Sequence, residues 1–253
     1  MIAVSRLVDI LSEDDGLDTG VIERLSGGFD ADAHVYRVVA QNGVPWCVKM
    51  SGRPLLAPRY SVPRYLSDAG VASVVAPART RPGALRKTEG GTVVTVWPLV
   101  AGISGYRPLT SGEWRRVGMA ARAIHDCVMP PDGWPGLPAE AFGVAAYRAT
   151  SAEVTAHVQA VGVRDETEEM VHAAWREHAD RAGAALDAMD RLAHRLQTRE
   201  LSYVLCHADL HPGNVITAED GTIAIIDWDE VMAAPRERDF LFVPPDDAAF
   251  WEG

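Results

Sequence analysis

Three oxygen-bearing side chains stand at spacings that could carry chemistry: Asp209 and Asn214 within His207-Ala-Asp-Leu-His-Pro-Gly-Asn214, and Asp227 beyond a short apolar stretch. Phosphoryl transfer asks little covalent help of a protein. It needs hard oxygen ligands for Mg²⁺, a cation against the phosphates and a carboxylate facing the acceptor hydroxyl. Asp209 suits the last task, because a carboxyl with an ordinary pKa of about 3.9 is ionised at neutral pH and can accept a hydrogen bond from a hydroxyl. A competing reading takes the alternation His207, Asp209, His211 as ligands of a metal hydrolase. It leaves Pro212-Gly-Asn214 and Asp227-Trp-Asp229 without a purpose, and it fits less well than His207 as a brace of the loop.

The cation would be Lys49, which ends Trp46-Cys-Val-Lys49 in the manner of a strand that presents a lysine to nucleotide phosphates. Upstream, Ser26, Gly27 and Gly28 could form a loop whose backbone amides approach phosphate, although the segment is not Gly-x-Gly-x-x-Gly. The acids that follow Asp227, among them Asp229, Glu230, Glu237, Asp246 and Asp247, read either as a solvated face or, in the case of Asp229 and Glu230, as partners for an ammonium-bearing substrate.

Composition narrows the field. A net charge of -11 argues against a nucleic-acid partner, and with 47% apolar residues in 253 the chain can bury a large core. An acidic N-terminus without an apolar run and the lack of a stretch of roughly 18 apolar residues speak against a signal peptide and a membrane span. Cys47, Cys127 and Cys206 are too few and too far apart for a disulfide framework, so a reducing cytoplasm is expected. Nothing in the sequence sets the oligomeric state.

The elements that would position these groups follow from periodicity. Strands at His34–Val39 and Val44–Met50 flank the hairpin signal Gln41-Asn42-Gly43, and Val93–Val96 reads as a further strand. Between them a short helix is expected to start at Ser61, with Pro63 in its first turn, and to end near Gly70. Thr110-Ser-Gly-Glu113 matches a capping box that opens a helix carrying Trp114, Val117, Ala121, Ile124 and Val128 on one side. After the proline-rich stretch 130–138, Trp175, Ala182, Leu186, Met189, Leu192 and Leu196 are expected to form a buried helical stripe. Val215–Thr217 and Thr222–Ile226 form a small hairpin joining Asn214 to Asp227.

The eight residues 207–214 keep the Asp-to-Asn spacing of a kinase catalytic loop. Together with Ile225-Ile-Asp-Trp-Asp229 they resemble the aminoglycoside phosphotransferase and choline kinase superfamily. Trp97-Pro-Leu-Val-Ala-Gly102, Ile226-Asp-Trp-Asp-Glu230 and Ala234-Pro-Arg-Glu-Arg-Asp-Phe240 look most like its spectinomycin phosphotransferase branch. The resemblance implies an α+β, bilobal, protein-kinase-like fold. Residues 1–100 would be an antiparallel nucleotide-binding lobe ending in a hinge, and 101–253 a mainly helical lobe. It implies ATP and Mg²⁺ as cofactors, with Asp209 orienting and deprotonating the hydroxyl and Asn214 and Asp227 holding the metal. The Pro98 carbonyl and Val100 amide would face adenine, with Trp97 beside the base. The implied activity is O-phosphorylation of an aminocyclitol or aminoglycoside, a cationic small molecule, with antibiotic resistance as its consequence. The alternatives are a kinase for choline, homoserine or a sugar amine, and a degenerate kinase-fold binding module.

Two departures from the pattern stand out. Residues 51–88 contain no Glu and a single acid, Asp68, so the helix carboxylate that usually pairs with the nucleotide lysine is missing. The resemblance also leads one to expect further helices beyond Gly253, as though the C-terminus were truncated.

Overall fold

The computed structural model describes residues 1–25, 32–53, 56–104, 107–130, 133–245 and 248–253. In chain order the elements are α1 (Val4–Ile10), which runs on into a π-helical turn (Leu11–Asp15), β1 (Thr19–Leu25), β2 (Ala33–Ala40), β3 (Pro45–Ser51), α2 (Pro58–Asp68), β4 (Lys87–Glu89) and β5 (Thr92–Pro98). There follow α3 (Ser111–His125), α4 (Ala145–Ala160), α5 (Glu166–Gln197), β6 (Val204–Cys206), β7 (Val215–Thr217), β8 (Ile223–Ile225), β9 (Met232–Ala234) and α6 (Ala248–Trp251). The first five strands form one antiparallel sheet in the order β1-β2-β3-β5-β4, and β6–β9 and β7–β8 are two-stranded pairs. An antiparallel sheet followed by a mainly helical remainder is the α+β class expected from the sequence.

The period of two along the central strands decides which side chains reach the site. Tyr36, Val38, Val48, Met50, Val94 and Val96 turn to one face and pack under Leu7, Ile10 and Leu11. Cys47, Lys49, Val93, Thr95 and Trp97 therefore share the other face. There, Tyr60 of α2 packs on Val93, with Trp97 and Leu85 beside them. The predicted hairpin is present: Gly43, at φ 83°, donates to the Ala40 carbonyl, and the Asn42 side chain accepts from Val44.

Helix α2 begins earlier than expected, at Pro58 rather than Ser61, because Pro58 itself supplies the first-turn proline. Ser61 hydrogen-bonds back to the Ala57 carbonyl, and Pro63 sits inside the helix. Helix α3 is opened by the predicted capping box of Thr110 and Glu113 but ends at His125, so Val128 is exposed instead of completing the stripe. Val62 and Leu66 of α2, Trp114, Val117 and Ile124 of α3, and Leu205, Leu210, Ile225 and Trp228 make one core.

By internal contacts the chain divides into two units, residues 1–139 with 203–253, and residues 140–202. The second unit is the pair α4 and α5, tied by Trp175 donating to Thr155 Oγ1 at 3.1 Å and by Arg148 with Asp187 and Asp190. Its buried positions are Val144, Val158 and His172, while Met189 and Leu192 are exposed. The expected buried stripe of α5 is thus half open, since two helices packed on each other cover only one narrow seam.

Candidate active site

The loop from His207 to Asn214 is fixed by a buried polar brace. Asp239, in the 3₁₀ turn Arg236–Phe240, is fully buried, and its carboxylate accepts from the backbone amides of His207 at 3.2 Å and Ala208 at 2.6 Å. The same carboxylate lies 2.8 Å from His125 Nε2 at the end of α3. These two amides stand next to Ala208, whose φ of 67° is a left-handed conformation that a non-glycine residue adopts only when its surroundings fix it.

His207 makes the second brace. Its Nδ1 accepts from the Asp209 amide at 3.3 Å, which assigns the proton to Nε2, donated to the Ile226 carbonyl at 2.9 Å. Burial pushes its pKa down, against the pull of the neighbouring carboxylates, so the ring is neutral and its tautomer fixed. It therefore acts as the structural histidine expected of it and not as a metal ligand.

Asn214 closes the loop on itself. Its side-chain amide donates to the Asp209 carbonyl at 2.9 Å and to Asp209 Oδ2 at 3.1 Å. With both hydrogens of Nδ2 directed at Asp209, the amide oxygen is turned away and kept for another partner. The β7–β8 ladder pairs Val215 with Ile225, and the Asn214 carbonyl accepts from Ile226 at 3.0 Å, which sets Asp227 next to Asn214. Strand β8 is held on its far side by Ser73 and Val75, which exchange backbone hydrogen bonds with Ile225.

Asp227-Trp228-Asp229 is anchored through its middle. Trp228 is buried against His207, with ring centroids 4.7 Å apart, while Asp227 takes a left-handed φ of 61°. The two carboxylates thereby leave the core on the same side and meet Lys49, whose Nζ lies 2.8 Å from Asp229 Oδ2 and 3.3 Å from Asp227 Oδ1. Burial works against the charge of Lys49, but Asp227 and Asp229 outweigh it and raise its pKa.

The positions singled out in the sequence are therefore placed as follows. Asn214 holds Asp209, the ladder from Asn214 leads to Asp227, and Asp227 and Asp229 both stand against Lys49. Glu230 is exposed in the turn that follows. Trp97 packs in the cluster with Tyr60 and Val93, and its indole donates to Thr95 Oγ1 at 2.9 Å. Pro98 ends β5 opposite Trp46, and Val100 lies just past it. Ser26, Gly27, Gly28, Asp246 and Asp247 lie outside the described residues. Beyond Val100 the chain is tied to β7: Ile103 and Thr217 exchange backbone hydrogen bonds, and a Cβ at Gly102 would come within 2.4 Å of the Thr217 carbonyl. Glu113 carries this junction, accepting from Arg107, Thr110 and Thr217. Sequence reasoning saw Glu113 only as half of a capping box and did not see Tyr60, whose one trace was the lack of any Glu between residues 51 and 88.

A cation held here would meet only oxygen ligands, the Asn214 amide oxygen and the half-exposed Asp227 carboxylate, a donor set suited to Mg²⁺. No helix among the described residues is long and apolar enough to cross a membrane.

Residues 21–251 match the family described as the phosphotransferase enzyme family. No curated protein matches the sequence. Among solved structures, spectinomycin phosphotransferase APH(9)-Ia in complex with ADP and spectinomycin is 24% identical, with a TM-score of 0.87, over 98% of this chain and 78% of that one. An aminoglycoside phosphotransferase from Alicyclobacillus acidocaldarius is 17% identical, with a TM-score of 0.59, over 95% of this chain and 69% of its own. An amicoumacin kinase in complex with AMP-PNP and Ca²⁺ is 16% identical, with a TM-score of 0.62, over 99% and 75%.

Proposed function

Because the chain belongs to the phosphotransferase enzyme family, we propose that it transfers the γ-phosphate of ATP to a hydroxyl of an aminocyclitol or aminoglycoside antibiotic of the spectinomycin kind, with resistance as the consequence. The observation that carries this reading is the braced triad Asp209, Asn214 and Asp227 facing Lys49, on a fold whose TM-score to a spectinomycin phosphotransferase is 0.87.

In this reading Asp209 accepts the hydrogen bond of the acceptor hydroxyl and takes its proton as the oxygen bonds to the γ-phosphorus. The bond from phosphorus to the bridging oxygen breaks, and ADP leaves with the electron pair. The hydrogen bonds from Asn214 fix the direction of the Asp209 carboxylate before the acceptor arrives. Lys49 lies against the phosphates, and Asn214 and Asp227 would hold Mg²⁺, which offsets charge on the phosphate oxygens. Trp97 and the backbone at Pro98 and Val100 would receive the base. A site ringed by carboxylates in a chain of net charge -11 suits a cationic acceptor.

The test is ATP consumption and acceptor mass. Spectinomycin or an aminoglycoside should gain one phosphoryl group at a rate well above background. Background consumption with the whole panel, alongside turnover with choline, homoserine or a sugar amine, would replace the antibiotic by a metabolite. No Mg²⁺-dependent nucleotide binding at all would make the chain a binding module.

A further inference from the structure

Building on the placement of Lys49 against the nucleotide, we propose that Asp229 is the positioning residue that keeps Lys49 in place, doing the work of the helix carboxylate that this chain lacks. In kinase-like sites the nucleotide lysine is held by a Glu on the helix packed against the sheet. Here that helix is α2, and its only acid, Asp68, is its last residue and is paired with Arg64 at 2.6 Å and Arg79 at 3.2 Å. Toward the lysine face α2 presents Tyr60 instead, buried on Val93 with the Arg86 guanidinium 5.3 Å from its ring centroid. Burial, with Asp229 nearby, pushes the phenol up to about 12, so it is uncharged and cannot balance an ammonium.

The two carboxylates on Lys49 are not equivalent. Asp229 is nearer, at 2.8 Å against 3.3 Å, and its side chain is 24% exposed against 48% for Asp227. An oxygen needed for a cation must come from one of the two, and the longer, wetter contact is the one that is released more easily. Asp229 then remains on Lys49, fixed from behind by the buried Trp228. Without Asp229 the ammonium would be left to Asp227 alone and would compete with the cation for it.

Titration calorimetry with ADP, with and without Mg²⁺, tests this on the full chain before any acceptor is known. Asp229→Asn should weaken ADP binding by about 10- to 100-fold, the range of a hydrogen bond to a charged group. It should also raise the Mg²⁺ concentration for half-maximal binding. In kinetics the effect should fall on the KM for ATP and leave the KM for spectinomycin unchanged. Adding Tyr60→Glu to Asp229→Asn should recover affinity, since it returns a carboxylate to α2. Should Asp229→Asn not fold, Asp229→Thr is read in the same way. Unchanged ADP affinity, or a shift confined to the acceptor KM, overturns the proposal and gives Asp229 to the acceptor. Failure of every antibiotic as acceptor leaves these ADP measurements intact, so the two readings fail separately.

Discussion

The two sides of the site are built by different means. The loop 207–214 rests on a buried hydrogen-bond network behind a partly exposed Asp209: Asp239 takes two backbone amides and faces His125, His207 takes one amide and gives one proton, and Asn214 takes hold of Asp209, whose side chain is 36% exposed. The lysine side is an ion pair with water at hand, one ammonium between two carboxylates of which Asp227 is half exposed. The loop backbone is held by buried, directional bonds, whereas Lys49 is held by charge beside a half-exposed carboxylate.

The largest effect expected is on Asp209. Asp209→Asn preserves shape but removes the acceptor of the hydroxyl proton, so transfer should fall about 10²- to 10⁴-fold. ADP affinity should stay at the wild-type value. If calorimetry found ADP binding lost as well, the two sides would not be separable in the way described.

Asp239→Ala strikes the brace and should lower stability by about 3 to 5 kcal/mol, because it strands two buried amides and His125. Urea unfolding gives the number. A loss below about 1 kcal/mol would show that the loop holds its left-handed Ala208 without help.

How far the sequence revealed this contrast depends on the range of the interactions. Asp209, Asn214 and Asp227 were legible because loop and hairpin are local: the first two are five positions apart, and a two-stranded ladder carries the third. The hairpin that carries Lys49 was legible from Asn42-Gly43. Asp227 could be named as a group that holds Lys49, but its nearer partner Asp229 could not, since it lies 180 residues away and a lysine on a strand says nothing about what crosses to meet it. The α5 stripe was misread for a related reason, as periodicity tells which side of a helix is apolar but not how much of it a neighbour covers.

Glu113 tests whether the junction between the sheet and the catalytic half behaves like the brace. Arg107 above all, against the cost of burial and with Thr217 and Thr110, holds its carboxyl well below the usual range. A depressed folded pKa gives stability that is present above the unfolded value, about 4.3, and is lost as pH falls further. The melting temperature of the wild type should therefore drop on acidification below about pH 5. Glu113→Gln should melt lower at pH 7, and the gap between the two should narrow toward pH 3. A gap that stays constant with pH would mean that the hydrogen bonds of Glu113 do not depend on its charge.

The smallest expected change is the sharpest test of the contrast. Lys49→Met removes the ammonium and leaves Asp227 and Asp229 facing each other, yet both reach water, at 48% and 24% exposure, and can be rehydrated. Lys49 stands opposite Val35 and the buried Thr95 across the sheet, and a methionine of similar length keeps an apolar stem there. Unfolding free energy should change by less than about 1 kcal/mol, while ADP binding is lost. An equal loss of stability in Lys49→Met and Asp239→Ala would make the ion pair a structural brace like the other, and the division of the site into a hydrogen-bonded half and an ion-paired half would fall.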